Sequence, residues 1–303
     1  MTRIATTVSP LTLGTSGLGR GTVPGSPEEA EVVADAVALL RSGHAYVDTS
    51  NNYSDGRSEA VIGLALREAD TDADADAATR VITKVDVDPV TGAFDRDRVL
   101  RSFEESTARL GVDRLPLLHL HDPYAVSVSE TMAPNGAVEG LRELRDAGVV
   151  DAIGIATYPV DEMREYVATG VFDAVLSHNC FTLLDQSATP LFRAAQERGM
   201  TVFNAAPFAS GILVKGATST YTYREPSPEI IARLAQLEKL CRAHGVELPA
   251  VALHFSLRSP LVDSTVVGVK TRARLAALDQ LAAVEVPGEI WPELDALHGS
   301  WAA

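Results

Sequence analysis

The sequence predicts one (β/α)8 barrel spanning residues 1–303 as a single domain, and three observations carry that expectation. Strand-like and helix-like segments alternate from end to end, their connections are short, and no stretch shifts to linker composition. A length of 303 residues would also suit two ordinary domains or a doubly wound open sheet. Against the open sheet, Gly17, Gly19 and Gly21 lack the G-x-G-x-x-G spacing, and no acid ends the next strand in the dinucleotide-binding manner unless Asp48 is forced into that role.

Leu11 to Gly14 reads as the first strand, running into the glycine-rich loop Thr15 to Gly21. Pro27, Glu28 and Glu29 open a helix, because proline is tolerated in a first turn and acids are favoured there. Its apolar stripe is Val32, Val33, Ala36, Val37 and Leu40, and Gly43 stops it. Tyr46, Val47 and Asp48 form a short buried strand that spills into a polar turn delivering Tyr53. Val61, Ile62, Ala65 and Leu66 stripe the next helix, and Val81 to Val85 is the third strand. A helix marked by Val99, Leu100, Phe103, Thr107 and Leu110 ends at Gly111.

The fourth strand is expected over Leu115 to His121, with a helix from Ala137 to Asp146. Ala152 to Ala156 is the fifth strand, and residues 161–168 a short helix. Ala174 to Ser177 is the sixth, backed by a helix with Leu191, Phe192 and Ala195 on one face. Thr201 to Ala205 is the seventh, followed by a long loop with Tyr221 and Tyr223 and a helix striped by Ile230, Ile231, Leu234, Leu237 and Cys241. Ser264 to Gly268 is the eighth, with a helix over 271–282 and an amphipathic segment over 289–298.

With 46% apolar and 22% charged residues, the composition is that of a globular protein with a sizeable core. A net charge of −15 disfavours a nucleic-acid partner, since no basic patch could neutralise phosphates. The Asp/Ala run from Asp70 to Asp76 reads as a solvated loop. Cys180 and Cys241 make no disulfide scaffold, and no Cys/His spacing suits a metal. The first ten residues lack the apolar core of a signal peptide, and no apolar run approaches the ~20 residues of a membrane span. A reducing, cytoplasmic setting is the simplest expectation.

In a barrel, groups just past the strand ends converge on one mouth. Asp48, Tyr53, Lys84 and His121 all stand there, so an acid, a phenol, an amine and an imidazole would share one site. A phenol titrates near pH ~10, and a charged lysine beside it stabilises the phenolate. Asp48 would keep Lys84 charged despite burial, Lys84 would bring the Tyr53 pKa down, Tyr53 would exchange a proton, and His121 would orient the substrate oxygen. None of the four is a nucleophile or a metal ligand, so the matching reaction is hydride transfer between alcohol and carbonyl. His119, on the same strand face as His121 but deeper, reads as a core histidine.

The stretch Asp48 to Glu59 with Ile62-Gly63, the lysine at 84 and the His-Asp-Pro at 121–123 resemble the aldo-keto reductase superfamily along nearly the whole chain. That resemblance implies the tetrad Asp48, Tyr53, Lys84 and His121 and a nicotinamide cofactor across the mouth. Asn179 to Gln186, Ala206 to Leu213, and Tyr221 with Tyr223 are similar to the branch containing L-fucose dehydrogenase and D-threo-aldose 1-dehydrogenase. It implies oxidation of an aldose at C1 to a lactone, with Tyr124, Tyr221 and Tyr223 as pocket candidates for the sugar. For the cofactor it implies Thr157, Asn179, Pro207, Ser210, Gly211, Leu213, Gly268, Lys270 and Arg274. Arg274 falls at a position associated with the 2′-phosphate, which favours NADP with NAD as the second choice. Ala156-Thr157, His178 or Asn179, Ala205 and Leu278 depart from the superfamily pattern where it holds the nicotinamide and adenine. The alternatives are a general aldehyde or ketone reductase, pyridoxal-type substrates included, and a cofactor-sensing interaction subunit.

Overall fold

The computed structural model describes residues 10–70 and 77–301, so the acidic run at 71–76 and the first nine residues lie outside the described part. Eight parallel strands close on themselves in sequence order: β1 (Leu11–Gly14), β2 (Tyr46–Asp48), β3 (Val81–Val85), β4 (Leu118–His121), β5 (Ile153–Thr157), β6 (Ala174–His178), β7 (Thr201–Ala205) and β8 (Ser264–Gly268). Closure is made by β8 pairing back on β1, with Leu13 opposite Val267. The expected barrel is the observed one.

Around it lie α1 (Pro27–Leu40), α2 (Arg57–Asp70), α3 (Arg96–Leu110), α4 (Val128–Met132), α5 (Ala137–Asp146) and α6 (Val160–Ala168). They are followed by α7 (Thr189–Glu197), α8 (Ile212–Lys215), α9 (Pro228–Ala243), α10 (Leu248–Leu257), α11 (Arg272–Ala282) and α12 (Ile290–Trp301). Local chemistry sets the ends. Ser26, Asp95, Ser227 and Thr271 each accept a backbone N–H at a helix start, and Gly111 closes α3 with φ 73°.

Three helices had no counterpart in the sequence reading, the four-residue α8 falling within the expected long loop after β7. α10 is buried nearly all round, at Leu248, Ala250, Val251, Ala252, Leu253 and Ser256, so it shows no polar face and no stripe. α4 has five residues, too few for a period, and is fixed by the reciprocal Ser127–Glu130 capping box. β4 begins at Leu118, because Leu115 makes only a single bridge to Val150.

The main core fills the space between barrel and helices, and a second cluster lies under α8, α9, α10 and α12. Inside the barrel, Tyr46, Ile82, Leu117, Leu176, Phe203 and Val266 pack on one another. His119 is fully buried among them, T-shaped on Phe203 at 6.0 Å. Gly154 makes room for it, since a Cβ there would stand 2.3 Å from His119 Nδ1. Burial, then the nearby Lys84 and His121, hold the His119 pKa well below the ordinary histidine value, so it sits as a neutral core residue.

Backbone strain gathers at the C-terminal face. Left-handed φ is adopted by Ser54 and Asp55 after β2, Asp122 after β4 and Asn179 after β6. After β7 it recurs at Ala206, Ala209, Ser210, Thr222 and Tyr223. None of these is glycine, so each conformation is held at a cost by its surroundings.

Candidate active site

Asp48 ends β2 opposite Ile82, and Lys84 lies two residues further along β3, on the same inward face. The Lys84 ammonium donates to Asp48 Oδ2 at 2.8 Å, to the Thr49 carbonyl at 2.7 Å and to Tyr53 Oη at 3.1 Å. Its three protons therefore have three acceptors. Because Tyr53 Oη accepts from Lys84, its own O–H is left to donate elsewhere. Asp48 and Lys84 are almost wholly buried, at 3% and 1% exposure, and Asp48 Oδ1 has no hydrogen-bond partner.

Burial works against the Lys84 charge, but Asp48 and then Tyr53 outweigh it and hold the lysine above its ordinary pKa. The phenol behaves otherwise than the sequence implied. Burial pushes Tyr53 up to about 12, Lys84 pulls it back only in part, and Asp48 and Asp86 add to the rise. Without bound partners the group is therefore a protonated donor across neutral pH, and the expected lowering of its pKa is not met.

The turn carrying Tyr53 is clamped from α3. Asn51 Nδ2 donates to the Ser102 carbonyl at 3.1 Å and to Glu105 at 3.0 Å. Arg98 reaches Asn51 Oδ1, and Arg109 joins the Asn51 carbonyl to the buried Glu59. A whole helix thus holds the phenol in place.

His121 faces Tyr53 edge-on, with ring centroids 5.7 Å apart. Its Nδ1 lies 2.6 Å from Asp86 Oδ1, and its Nε2 lies 3.6 Å from Asp122 Oδ2. Asp86 is buried, and its Oδ2 accepts from Ser50 Oγ and from the Asn52 backbone N–H at 3.0 Å. Burial would raise its pKa, but His121, Ser50 and Asn52 together bring it below the ordinary carboxylate value. Sequence reasoning stopped at the end of β3 and missed Asp86. The available signal was its period-2 spacing from Lys84, which returns it to the same face.

All four residues of the expected tetrad meet at one cavity of about 290 Å³, lined by Tyr53, Asp48, His121, Leu176, His178, Ala205, Tyr223 and Val266, with Lys84 directly beneath. His178 stacks on Tyr158 at 5.3 Å and stands 6.3 Å from Tyr223. The other two aromatic candidates stand elsewhere. Tyr124 is 57% exposed, its hydroxyl donating to Asp122, and it does not line this cavity. Tyr221 lines a separate hollow with Arg233, His298 and Trp301. Both belong to the long surface loops, whose direction no periodicity in the sequence reveals.

Gly268 borders the mouth cavity and also a second, apolar one of about 180 Å³ lined by Phe208, Val269, Leu278 and Leu281, with Arg274 at its edge. Gly268 has open space where a Cβ would stand, with nothing within 4 Å. Lys270 and Arg274 are exposed and carry no ion pair among the described residues, whereas Arg272 is held by Asp35 at 2.9 Å. Ser210 Oγ donates to Asn179 Oδ1, and Gly211 has φ 103°. Pro207 and Thr157 are buried, and neither borders the mouth cavity. Leu213 is a core side chain of the second cluster, and its N–H already donates to the Phe208 carbonyl. Gly268, shared by the two cavities, with the exposed cations Lys270 and Arg274 following it, suits an elongated anionic group. Among the described residues no cluster suits a metal, and no helix is long and apolar enough to cross a membrane.

Comparison with known proteins gives the same architecture a family. The model of the aldo/keto reductase family matches residues 10–298. A D-threo-aldose 1-dehydrogenase of a Pseudomonas species is 36% identical over 66% of this chain, an alignment that covers 62% of that relative. The pyridoxal 4-dehydrogenase of Microbacterium luteolum is 29% identical over 96% of this chain and 94% of its own. The holo form of an aldo-keto reductase from Bacillus halodurans superposes with a TM-score of 0.75 at 21% identity, covering 95% of this chain and 91% of that one.

Proposed function

The chain belongs to the aldo/keto reductase family and is an oxidoreductase, and on that premise we propose that it interconverts an alcohol and a carbonyl, oxidising C1 of an aldose to a lactone. The observation that carries this reading is the Asp48–Lys84–Tyr53 chain of contacts at 2.8 and 3.1 Å, opening on the cavity that His121 also lines. The family's nicotinamide dinucleotide, when bound, takes up or gives the hydride. Tyr53 exchanges the proton with the substrate oxygen, His121 hydrogen-bonds that oxygen, and Lys84 stabilises the phenolate when it forms. Leu176, Ala205 and Val266 exclude water from the floor of the cavity.

NADP is favoured over NAD because Arg274 is a free cation at the edge of the second cavity. Ser210, Gly211, Gly268 and Lys270 suit the intervening phosphates, since a left-handed, small-residue turn lets backbone and charge approach an anion. Asn179 steadies that turn through Ser210. Two buried free cysteines suit a reducing, cytoplasmic setting.

A second reading has its own support. The aromatic group Tyr158, His178 and Tyr223 at the mouth suits a flat ring as well as a sugar face, and a pyridoxal 4-dehydrogenase is among the relatives. Assay of the purified protein with NADP or NAD against L-fucose, D-arabinose, L-galactose, pyridoxal and simple aldehydes separates the two. Free-sugar oxidation supports the first, and pyridoxal turnover or aldehyde reduction alone replaces it.

Tyr53→Phe removes the reacting hydroxyl and one of the three acceptors of Lys84 but leaves the Asp48–Lys84 pair in place, whereas removing Lys84 would strand a buried carboxylate at about 3–5 kcal/mol. The variant is expected to lose roughly 100-fold or more in kcat with cofactor affinity unchanged. Retention of more than about a tenth of the wild-type rate rejects the proton-exchange role.

A further inference from the structure

We propose that Asp86 is the positioning residue of an Asp86–His121 couple, which places the imidazole proton on Nδ1 and turns Nε2 to the reacting oxygen. The proposal rests on the reading of His121 as the group facing substrate, and adds a carboxylate that the tetrad does not contain. Its ground is the hydrogen-bond arithmetic around one buried side chain.

Asp86 Oδ2 receives two donors, Ser50 Oγ and the Asn52 N–H, so its orientation is set by the same turn that carries Tyr53. Oδ1 is left for His121 Nδ1 at 2.6 Å, and an ionised carboxylate only accepts. Nδ1 must therefore carry the proton, and Nε2 is the ring atom left for the substrate. Ser50 Oγ also lies 3.2 Å from Nδ1; with its proton committed to Asp86, it can only accept there as well.

This assignment has a consequence for catalysis in the reducing direction. A carbonyl oxygen accepts, so Nε2 must be protonated to meet it, and the ring then carries a positive charge. Asp86 supplies the counter-charge for that state in a nearly closed site. Several groups face the imidazole and share its field. Tyr53 and Asp48 stand on β2 and its loop, Lys84 and Asp86 on β3 and its end, His119 and Asp122 on β4 and its end, and His178 on β6. Of these, Asp86 alone is within 3 Å of a ring nitrogen.

Asp86→Asn tests the couple. Two donors still point at one terminal atom, so the amide oxygen must turn to Ser50 and Asn52 and the NH2 must face Nδ1. The ring is then forced to the Nε2–H tautomer, as happens when the carboxylate of a catalytic Asp–His pair is replaced by its amide. A neutral Nε2–H still donates but without the charge, so kcat for reduction should fall about 10- to 100-fold. Cofactor affinity should stay within about two-fold, because Asp86 lines neither cavity.

The direct readout is 15N NMR of the histidine side chains, with His121→Gln identifying the signals that belong to His121. Wild type is expected to show Nδ1 protonated in the neutral ring, and Asp86→Asn to show Nε2 protonated. An unprotonated Nδ1 in neutral wild-type ring overturns the proposal, and that measurement needs no variant of Asp86 to fold. An Nδ1-protonated neutral ring in a folded Asp86→Asn protein, or an unchanged kcat for reduction, overturns it too. Loss of turnover in Tyr53→Phe bears on the proton-exchange reading and leaves this tautomer assignment standing or falling on its own spectrum.

Discussion

At the level of the single residue, the phenol of Tyr53 decides how the two reaction directions depend on pH. Its proton is held up to about 12 by burial, with Lys84 opposing and Asp48 and Asp86 assisting. A raised pKa means the neutral form dominates, so Tyr53 is a ready donor and a scarce acceptor at pH 7. Alcohol oxidation needs the acceptor, whose population grows roughly tenfold per pH unit below the pKa. The kcat for oxidation should therefore climb between pH 7 and pH 10 without levelling, as a steady-state pH series would show. A plateau below pH 8 would mean that a group other than Tyr53 takes the proton. The tetrad itself was legible because Asp48, Lys84 and His121 sit at or near the C-terminal ends of β2, β3 and β4 and Tyr53 in the turn after β2, and topology gathers strand ends. Asp86 was not, because its function depends on Ser50 and Asn52 turning its carboxylate, and no spacing encodes a hydrogen bond.

For the secondary-structure elements, the contact that places the catalytic turn is the crossing of α2 and α3. Gly63 on α2 lies against the α3 backbone, and a Cβ there would stand 2.0 Å from the Arg109 carbonyl oxygen. Backbone cannot rotate away as a side chain can, so Gly63→Ala must push the helices apart. A loss of about 1–3 kcal/mol is expected, read as a lower urea midpoint with the slope unchanged. Arg109 would move with its helix, taking the Asn51 carbonyl and the Glu59 carboxylate with it. Turnover should then fall alongside stability, and an unchanged midpoint would show that the crossing is slack. Amphipathic helices such as α1 and α3 were readable from their stripes. The all-round burial of α10 erased the period that would have announced it, and strand ends shifted by a residue or more where pairing stops before apolar sequence does.

Across the whole molecule, charge sets the problem that the cofactor end must solve. A protein of net charge −15 repels a polyanion on average, so attraction has to be local. Lys270 and Arg274 provide it beside β8, while Arg272 is already committed to Asp35. For Arg274→Ala the expected outcome is a clear rise in Kd for NADP and little change for NAD, measured by fluorescence titration. Equal losses for both would remove the preference. The barrel followed from alternation alone, but the apolar hollow beside Leu278 needed coordinates, since its walls come from β8, α8, α10 and α11 together.

The groups that handle the proton all lie on one arc, from β2 to β4, whereas Leu176, His178, Ala205, Tyr223 and Val266 come from β6 to β8 and the long loop after β7. Invention and conservation can thus proceed in separate halves of one wall. New appetites can be tried on the far side by changing side-chain size and shape, while the machinery opposite keeps its alignment untouched.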